Sequence, residues 1–328
     1  MRKVVFRGMK ADEKRNRVLW CSIAVVALVI ALALSLKGSK GLQWVISGLT
    51  VGSIYALVAM GFSIIYASTR VINFAQGEFS MLGGMLMYTF SSQVGLPAWL
   101  SFILAVTVVT ALGAGFERAV IHRMEGASVV ALIIVTIGFS IFIRAVAKWI
   151  WGTDPVKIAA FLGEEPLRFL GASIVPQSFW VFGFTAVAVI LVFLFFNRTL
   201  PGKGMRAAAG NPDAASLVGV STSTSSLLAW TMAAALGAAA GIIIAPINFA
   251  AYSFGVMLGL KGFAAAILGG LGSAPGAVVG GLILGVLEIM TAGAFPSGYK
   301  DAVAFLIIIL VLLVRPQGLL GKPEGEKV

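Results

Sequence analysis

The sequence contains few charged residues, a single cysteine and a single histidine. Of its 328 residues, 11% are charged and 59% are hydrophobic. A soluble domain carries about 25% charged residues. This chain therefore cannot cover a surface that faces water, and its composition predicts a protein of the lipid bilayer. The one cysteine, Cys21, excludes an internal disulfide.

The residues of an intramembrane enzyme are also missing. Such an enzyme needs a serine–histidine pair or paired aspartates, but His122 lies in a predicted cytoplasmic loop without an evident partner, and Asp154 and Asp301 are far apart. The segment GGLGS at 269–273 resembles a phosphate loop but lacks the following Lys-Ser/Thr. We expect no catalytic residue, no metal site and no cofactor bound to this chain.

The basic residues indicate membrane orientation. Lysine and arginine number 24 against 13 acids, giving +11. The positive-inside rule accounts for this excess more simply than nucleic-acid binding, which we do not expect. Residues 1–17 form a basic tail that we place in the cytoplasm, and residues 18–36 form a retained first helix. A cleaved leader is the alternative for this segment, although the apolar run is long and no cleavage site follows.

Further apolar runs predict an all-α polytopic membrane protein with about 8–10 transmembrane segments. The predicted transmembrane domain spans 18–314, and its later runs lie at 44–66, 71–91, 97–116, 127–147, 178–196, 226–247, 255–292 and 301–314. Basic residues occur in alternate loops, which places both termini and the tail 315–328 in the cytoplasm. Residues 148–177 then form an external loop.

The run at 255–292 is too long for one helix. It is interrupted by Gly269, Gly270, Gly272, Pro275 and Gly276, which predict two short segments with a break. If these broken segments are re-entrant, the count is eight rather than ten. Broken helices free backbone polar groups, which lipid tolerates only beside protein or a water-filled cavity. Such breaks often flank a transport path.

The stretch VINFAQGEFSMLGG at 71–84 places Asn73, Gln76 and Glu78 inside an apolar run. An acid at the bilayer centre costs about 2.5–3.5 kcal/mol, so such residues usually face a bundle interior or a cavity. They either line a polar path or cap a helix that enters the membrane after Arg70, with Glu78 paired to Arg70. Both interpretations remain open. The other acid beside an apolar run, Glu288, is expected near a cytoplasmic helix end.

Two segments of the chain resemble each other weakly, and this internal echo supports the interpretation that the polar residues line a transport path. NFAQGEFSMLG at 73–83 resembles NFAAYSFGVMLG at 248–259, with one insertion. Transporters are often built from repeats whose irregular segments meet at the site. If the echo marks a repeat, Asn248 and Tyr252 join Asn73 and Gln76.

The loop 197–226 contains the most specific motif. Asp213-Ala214-Ala215, followed by Gly219, resembles the EAA…G coupling motif of ABC-importer permeases, with aspartate in place of the usual glutamate. Pro212 predicts the start of a short helix, whose N-terminal end suits an acid, and Gly219 predicts its end. Arg206 supplies a charged flank.

Four motifs in this order carry a wider resemblance: VINFAQGEFSMLGG, GNPDAASLVGV, AAILGGLGSAPGAVVGGLILGVLE and VLLVRPQGLLGK. Together they resemble the hydrophobic amino acid uptake family, specifically the shorter permease subunit of LIV-type branched-chain amino acid ABC importers. The resemblance covers about 43–322. It implies a bacterial inner-membrane complex with a second homologous permease, two ATPase subunits that bind ATP-Mg, and an extracytoplasmic binding protein.

The resemblance also implies a mechanism. Such permeases transport leucine, isoleucine and valine by alternating access, and related systems carry urea, amides or aromatic compounds. A zwitterion with an apolar side chain needs polar and apolar contacts, which Asn73, Gln76 and Glu78 with Phe74 and Phe79 would supply. The alternatives are an ABC permease for another small solute, such as a sugar, and an ATP-independent secondary transporter.

Overall fold

The computed structural model describes residues 39–321 apart from 125, 162, 164, 170, 171 and 295. The predicted basic tail 1–17, the predicted first helix 18–36 and the last part of the tail 315–328 lie outside the described residues. The described part forms these α-helices: α1 Ser39–Thr69, α2 Gln76–Tyr88, α3 Ala98–Phe116, α4 Val129–Trp151, α5 Gln177–Arg198, α6 Leu200–Gly210, α7 Pro212–Leu217, α8 Thr222–Asn248, α9 Phe254–Gly269, α10 Ala274–Ala294 and α11 Lys300–Val314.

Helices dominate the chain, as predicted. Six of the described helices are long and apolar enough to cross a membrane, namely α1, α3 (with its continuation to Met124), α4, α5, α8 and α10. Short π-helices, Thr89–Gln93 and Glu117–Ile121, continue α2 and α3. The all-α polytopic fold is therefore confirmed.

The predicted external loop contains the described β-structure. Strands β1 Leu167–Phe169 and β2 Ala172–Ile174 form an antiparallel hairpin with Arg168 opposite Ser173. Val156 also forms an antiparallel bridge with Ala250, so the loop is tied to the turn after α8.

Two long helices, α1 and α8, lie in the interior, and most of their side chains are buried. Helix α1 packs closely on α10 because glycines face each other: a Cβ atom added to Gly52 would lie 2.9 Å from Gly281 O. Small residues of this kind allow helix backbones to approach in lipid. Helices α3, α4 and α5 are peripheral and expose many apolar side chains.

Three of the breaks between helices flank the short helices α2 and α9. The turns after α1 and after α8 each contain a residue with positive φ, Arg70 (57°) and Phe249 (59°), and these are the two such non-glycine residues in the described part of the chain. The third break separates α9 from α10, where Gly270 and Gly272 have φ of 108° and 85°. The break predicted within 255–292 is thus confirmed, with Pro275 in the first turn of α10.

The residues after α11 close the end of α9. The Leu319 and Leu320 N–H groups donate to the carbonyls of Leu268 and Gly269 at 2.8 and 2.9 Å. The last carbonyls of a helix have no partner within the helix, so the tail satisfies them. Two of the motifs that carry the family resemblance, the one that begins AAILGGLG and the tail motif VLLVRPQGLLGK, are therefore in direct contact.

Candidate functional site

The polar stretch begins in the turn between α1 and α2. Asn73 is fully buried, and its Oδ1 accepts a hydrogen bond from the Ala75 N–H at 2.9 Å. The Phe74 N–H donates to Thr136 Oγ1 on α4 at 3.2 Å. Helix α2 has no side-chain cap, because its N-cap residue is Ala75. Asn73 thus orders the entry turn and does not cap the helix directly.

Gln76 lies where α1, α2 and α8 meet. Its Nε2 donates to the Ala233 carbonyl at 2.8 Å. The side chain fills space left by two glycines, because a Cβ atom on Gly61 would overlap it and one on Gly237 would lie 3.1 Å from Nε2. Gln76 Oε1 has no hydrogen-bond partner among the described residues. An unsatisfied acceptor therefore lies at the centre of the bundle.

Glu78 is also buried, at 1% exposed. Ser140 Oγ on α4 donates to its Oε1 at 2.9 Å, and Arg144 on the same helix attracts the carboxyl group electrostatically. Its Oε2 has no partner in the described part and faces Gly255, the second residue of α9. The N-terminal ends of α2 and α9 both lie beside this carboxyl group and favour negative charge there.

The two phenylalanines of the stretch have different surroundings. The Phe74 ring is half-buried, and its centroid lies 5.6 Å from that of Phe263 on α9. Phe79 is fully buried and belongs to a core cluster with Val109 and Trp230. In this conformation Phe79 is a packing residue, whereas Phe74 lies at the edge of the polar stretch.

The two echoed segments touch each other. Gly77 on α2 packs on α9, since a Cβ atom on Gly77 would overlap the Gly255 carbonyl oxygen and lie 2.8 Å from Gly259 N. The short helices of these segments, α2 and α9, each follow a long helix and a turn with one residue of positive φ. The two segments therefore have similar local architecture.

The aligned polar residues do not occupy equivalent positions. Asn73 lies buried in a turn, whereas Asn248 is the exposed last residue of α8. Tyr252 is half-buried, with Lys148 Nζ 5.6 Å from its ring centroid. Asn73 accepts from the Ala75 N–H and Gln76 donates to the Ala233 carbonyl, and neither of these bonds involves Asn248 or Tyr252. The structure thus joins the two segments through their glycines.

The predicted coupling motif forms the short helix α7. Asn211 is its N-cap and accepts the Ala214 N–H at 3.1 Å, and Asp213 lies in the first turn. Ala215 is buried, whereas Asp213 and Ala214 are exposed. Gly219 has φ of 85° just after the helix, as a helix-ending glycine requires. The predicted helix start and end are both confirmed.

Arginines connect this loop to its surroundings. Arg206 on α6 donates to Asn197 Oδ1 at 3.0 Å. Arg70 donates from Nη2 to the Ala209 carbonyl on α6 at 3.2 Å. The predicted pairing of Arg70 with Glu78 is therefore wrong: Arg70 is exposed and extends toward the loop, while Glu78 is buried inside the bundle. The polar stretch and the motif loop are joined at Arg70.

The structure contains a buried ionic cluster that the sequence does not indicate. Lys261 Nζ on α9 lies 2.6 Å from Glu288 Oε1 on α10 and 2.8 Å from Asp301 Oδ1 on α11. Tyr55 on α1 donates to Glu288 Oε2 at 2.7 Å. The expectation that Glu288 lies near a helix end at the membrane surface is wrong, because it is 3% exposed and six residues before the end of α10. The cluster joins four helices.

His122, for which the sequence shows no evident partner, lies beside a hydroxyl group in the structure. Its Nδ1 lies 3.3 Å from Ser223 Oγ on α8. No group of three or more histidine, cysteine or acidic residues suited to a metal ion occurs among residues 39–321 that the structure describes.

Comparison with known proteins gives a consistent result. The family model for the branched-chain amino acid transport system permease component matches residues 44–312. The high-affinity branched-chain amino acid transport system permease protein LivH of Escherichia coli K12 is 33% identical over 302 residues, which cover 88% of this chain and 97% of LivH. BraD of Pseudomonas aeruginosa, with the same description, is 35% identical over 303 residues, covering 88% of this chain and 98% of BraD. The fructose import permease protein FruF of Bifidobacterium longum is 24% identical over 326 residues, covering 92% and 88%.

Proposed function

Since the chain belongs to the family of branched-chain amino acid transport permeases, we propose that it transports branched-chain or related hydrophobic amino acids into the cell, driven by ATP. It is a multi-pass protein of the bacterial inner membrane. ATP-Mg binds on separate ATPase subunits, in line with the lack of a Walker A sequence in this chain. A second homologous permease and an extracytoplasmic binding protein complete the complex.

The observation that carries this proposal is the contact between Arg70 and Ala209. Helix α7 is short, exposed along Asp213 and Ala214, and well suited to dock in a groove of an ATPase. A movement of α6 and α7 would reach the turn 71–75 through the Arg70 guanidinium. That turn contains Asn73 and leads directly into α2 with Gln76 and Glu78, so ATP-driven closure can alter access to these groups.

The atoms of the polar stretch that have no hydrogen-bond partner among the described residues match a zwitterion. Asn73 Nδ2 is a donor for a carboxylate, whereas Gln76 Oε1 and Glu78 Oε2 are acceptors for an ammonium group. All three groups are closed off from solvent in this conformation. The rings of Phe74 and Phe263 offer an apolar contact at the same place. Alternating access would open this site to one side at a time.

The test is a pull-down of the tagged chain from its native membrane in mild detergent, followed by mass spectrometry. We expect two Walker-containing ATPases and a second permease. Gly219→Val, which forces a β-branched residue into φ of 85°, should release the ATPases. Gly210→Ala is the matched control, because open space surrounds Gly210 and its φ is not positive.

The same experiment separates the alternatives. A chain that is recovered alone, with solute uptake that persists after ATP depletion, would indicate a secondary transporter and overturn the proposal. If the ATPases are present, thermal shift of the accompanying binding protein distinguishes leucine from fructose, which the likeness to FruF makes the natural competitor.

A further inference from the structure

A cavity of about 440 Å³ lies between the coupling helix α7 and the ends of the membrane helices. Its wall includes the end of α1, the π-helix after α3, the start of α4 and the start of α8. Pro212, Asp213 and Ser216 of α7 form one side. Its volume falls within the roughly 300–1,000 Å³ of small-molecule sites. By the predicted topology, the cavity faces the cytoplasm.

Unsatisfied oxygen atoms occur in the cavity wall. Glu117 borders the cavity and is 0% exposed, yet neither of its carboxyl oxygens has a hydrogen-bond partner in the described part of the chain. Ser68 Oγ borders the same cavity and is likewise buried without a partner there. A buried carboxyl group without a partner is costly, so native proteins supply one. Glu117 also lies in a π-helix, a local form that is frequent at functional sites.

The rest of the wall defines the chemistry of the missing partner. Val71, Ile121, Val129 and Leu132 provide an apolar side, and hydroxyl groups such as that of Thr222 add polar contacts. The partner therefore combines a cationic hydrogen-bond donor with an apolar body. A free hydrophobic amino acid has both, with its ammonium group as the donor.

We propose that this cavity is a second amino acid site on the release side of the permease, in which Glu117 binds the ammonium group. The inference rests on the proposed function, because it takes its ligand from the transported class. The location supports it: Val71 belongs to the same turn as Asn73, and Leu132 is one helical turn before Thr136, which holds that turn. The cavity thus lies directly beyond the polar stretch.

The experiment measures equilibrium binding of radiolabelled isoamylamine to the intact complex, purified without its binding protein. Isoamylamine keeps the ammonium group and the branched chain of leucine but has no carboxylate. Glu117→Gln should weaken its binding by about tenfold or more, because a charge-assisted hydrogen bond is lost. Asp154→Asn, at an exposed acid of the predicted external loop, should leave this binding unchanged. N-acetyl-leucine, which lacks the ammonium group, should not compete.

A second variant keeps the test decisive if Glu117→Gln fails to fold. Leu132→Trp fills the cavity from its apolar side and should also abolish isoamylamine binding. Binding that is unaffected by both variants, or equal competition by N-acetyl-leucine, overturns the inference. Loss of the ATPase subunits from Glu117→Gln also overturns it, since Glu117 would then bind a basic side chain of those subunits. Failure of the wild-type complex to import leucine would instead count against the proposed function.

Discussion

Arg70 Nη2 lies 3.2 Å from the Ala209 carbonyl oxygen, which joins the end of α1 to helix α6, the helix that precedes α7. Arg70 adopts φ of 57°, a conformation that costs an ordinary residue about 1–2 kcal/mol. A strained residue that bridges two functional segments suits a site at which movement is transmitted.

This contact predicts separate effects on stability and coupling. Arg70→Gly removes the hydrogen bond and relieves the strain, so the thermal midpoint of the purified protein should stay the same or rise. The hydrogen bond contributes about 1 kcal/mol, which corresponds to a severalfold change in an equilibrium constant. The number of leucine molecules imported per ATP should therefore fall severalfold. Arg70→Lys retains the charge and serves as the comparison. Unchanged stoichiometry in Arg70→Gly would show that the contact does not transmit movement.

The crossing of α2 and α9 should not tolerate a methyl group. In Gly77→Ala the new Cβ atom overlaps the Gly255 carbonyl oxygen, which is backbone and cannot rotate away. We expect a loss of at least about 1–3 kcal/mol in stability, together with loss of uptake. Gly138→Ala on α4 is the matched control, because nothing lies within 4 Å of its Cβ position. Equal thermal midpoints for the two variants would mean that the crossing is looser than described.

The buried charges around Lys261 predict that a single variant loses more stability than a double variant. Lys261→Met leaves Glu288 and Asp301 without their positive partner and should destabilise the protein by about 3–5 kcal/mol. Lys261→Met combined with Glu288→Leu removes both buried charges and should recover part of the loss, because Asp301 is 36% exposed, while Tyr55 loses its acceptor. Thermal unfolding in detergent measures both. A double variant no more stable than the single would contradict this account.

The docking of the tail on α9 gives a fourth prediction. Gly318 has φ of 74°, and a Cβ atom there would overlap the Ile267 carbonyl oxygen. Gly318→Ala should therefore detach the segment that satisfies the end of α9 and lower the thermal midpoint. It should also expose the tail to proteolysis. Gly298→Ala, at a position with open space, should do neither. Protection of the tail in Gly318→Ala would show that this segment is not held by the contacts described.

Much of the fold follows from local signals in the sequence. The apolar runs, the glycines at 269–276 and the Pro212-to-Gly219 pattern act within a few residues, so their helices and breaks could be predicted. The helix at 71–91 begins later than its hydropathy indicates, at Gln76, because residues 71–75 form a buried turn held by Thr136.

Contacts between distant segments could not be predicted in this way. The buried ionic cluster consists of charged residues in or beside separate apolar runs, namely Lys261, Glu288 and Asp301. A hydropathy profile scores each residue separately and does not show that they pair. The burial of Glu117 was missed for a similar reason: it precedes Arg118 at the end of an apolar run and resembles an ordinary surface pair. Only the packing of α3, α7 and α8 shows that it is buried beside a cavity.

The measurement that tests the central claim most directly is leucine uptake into proteoliposomes that contain the complex purified through this chain. The binding protein and labelled leucine are supplied outside, and either ATP-Mg or a non-hydrolysable analogue is enclosed. We predict uptake that requires both the binding protein and hydrolysable ATP. Equal uptake with the analogue, or without any nucleotide, would contradict an ATP-driven importer.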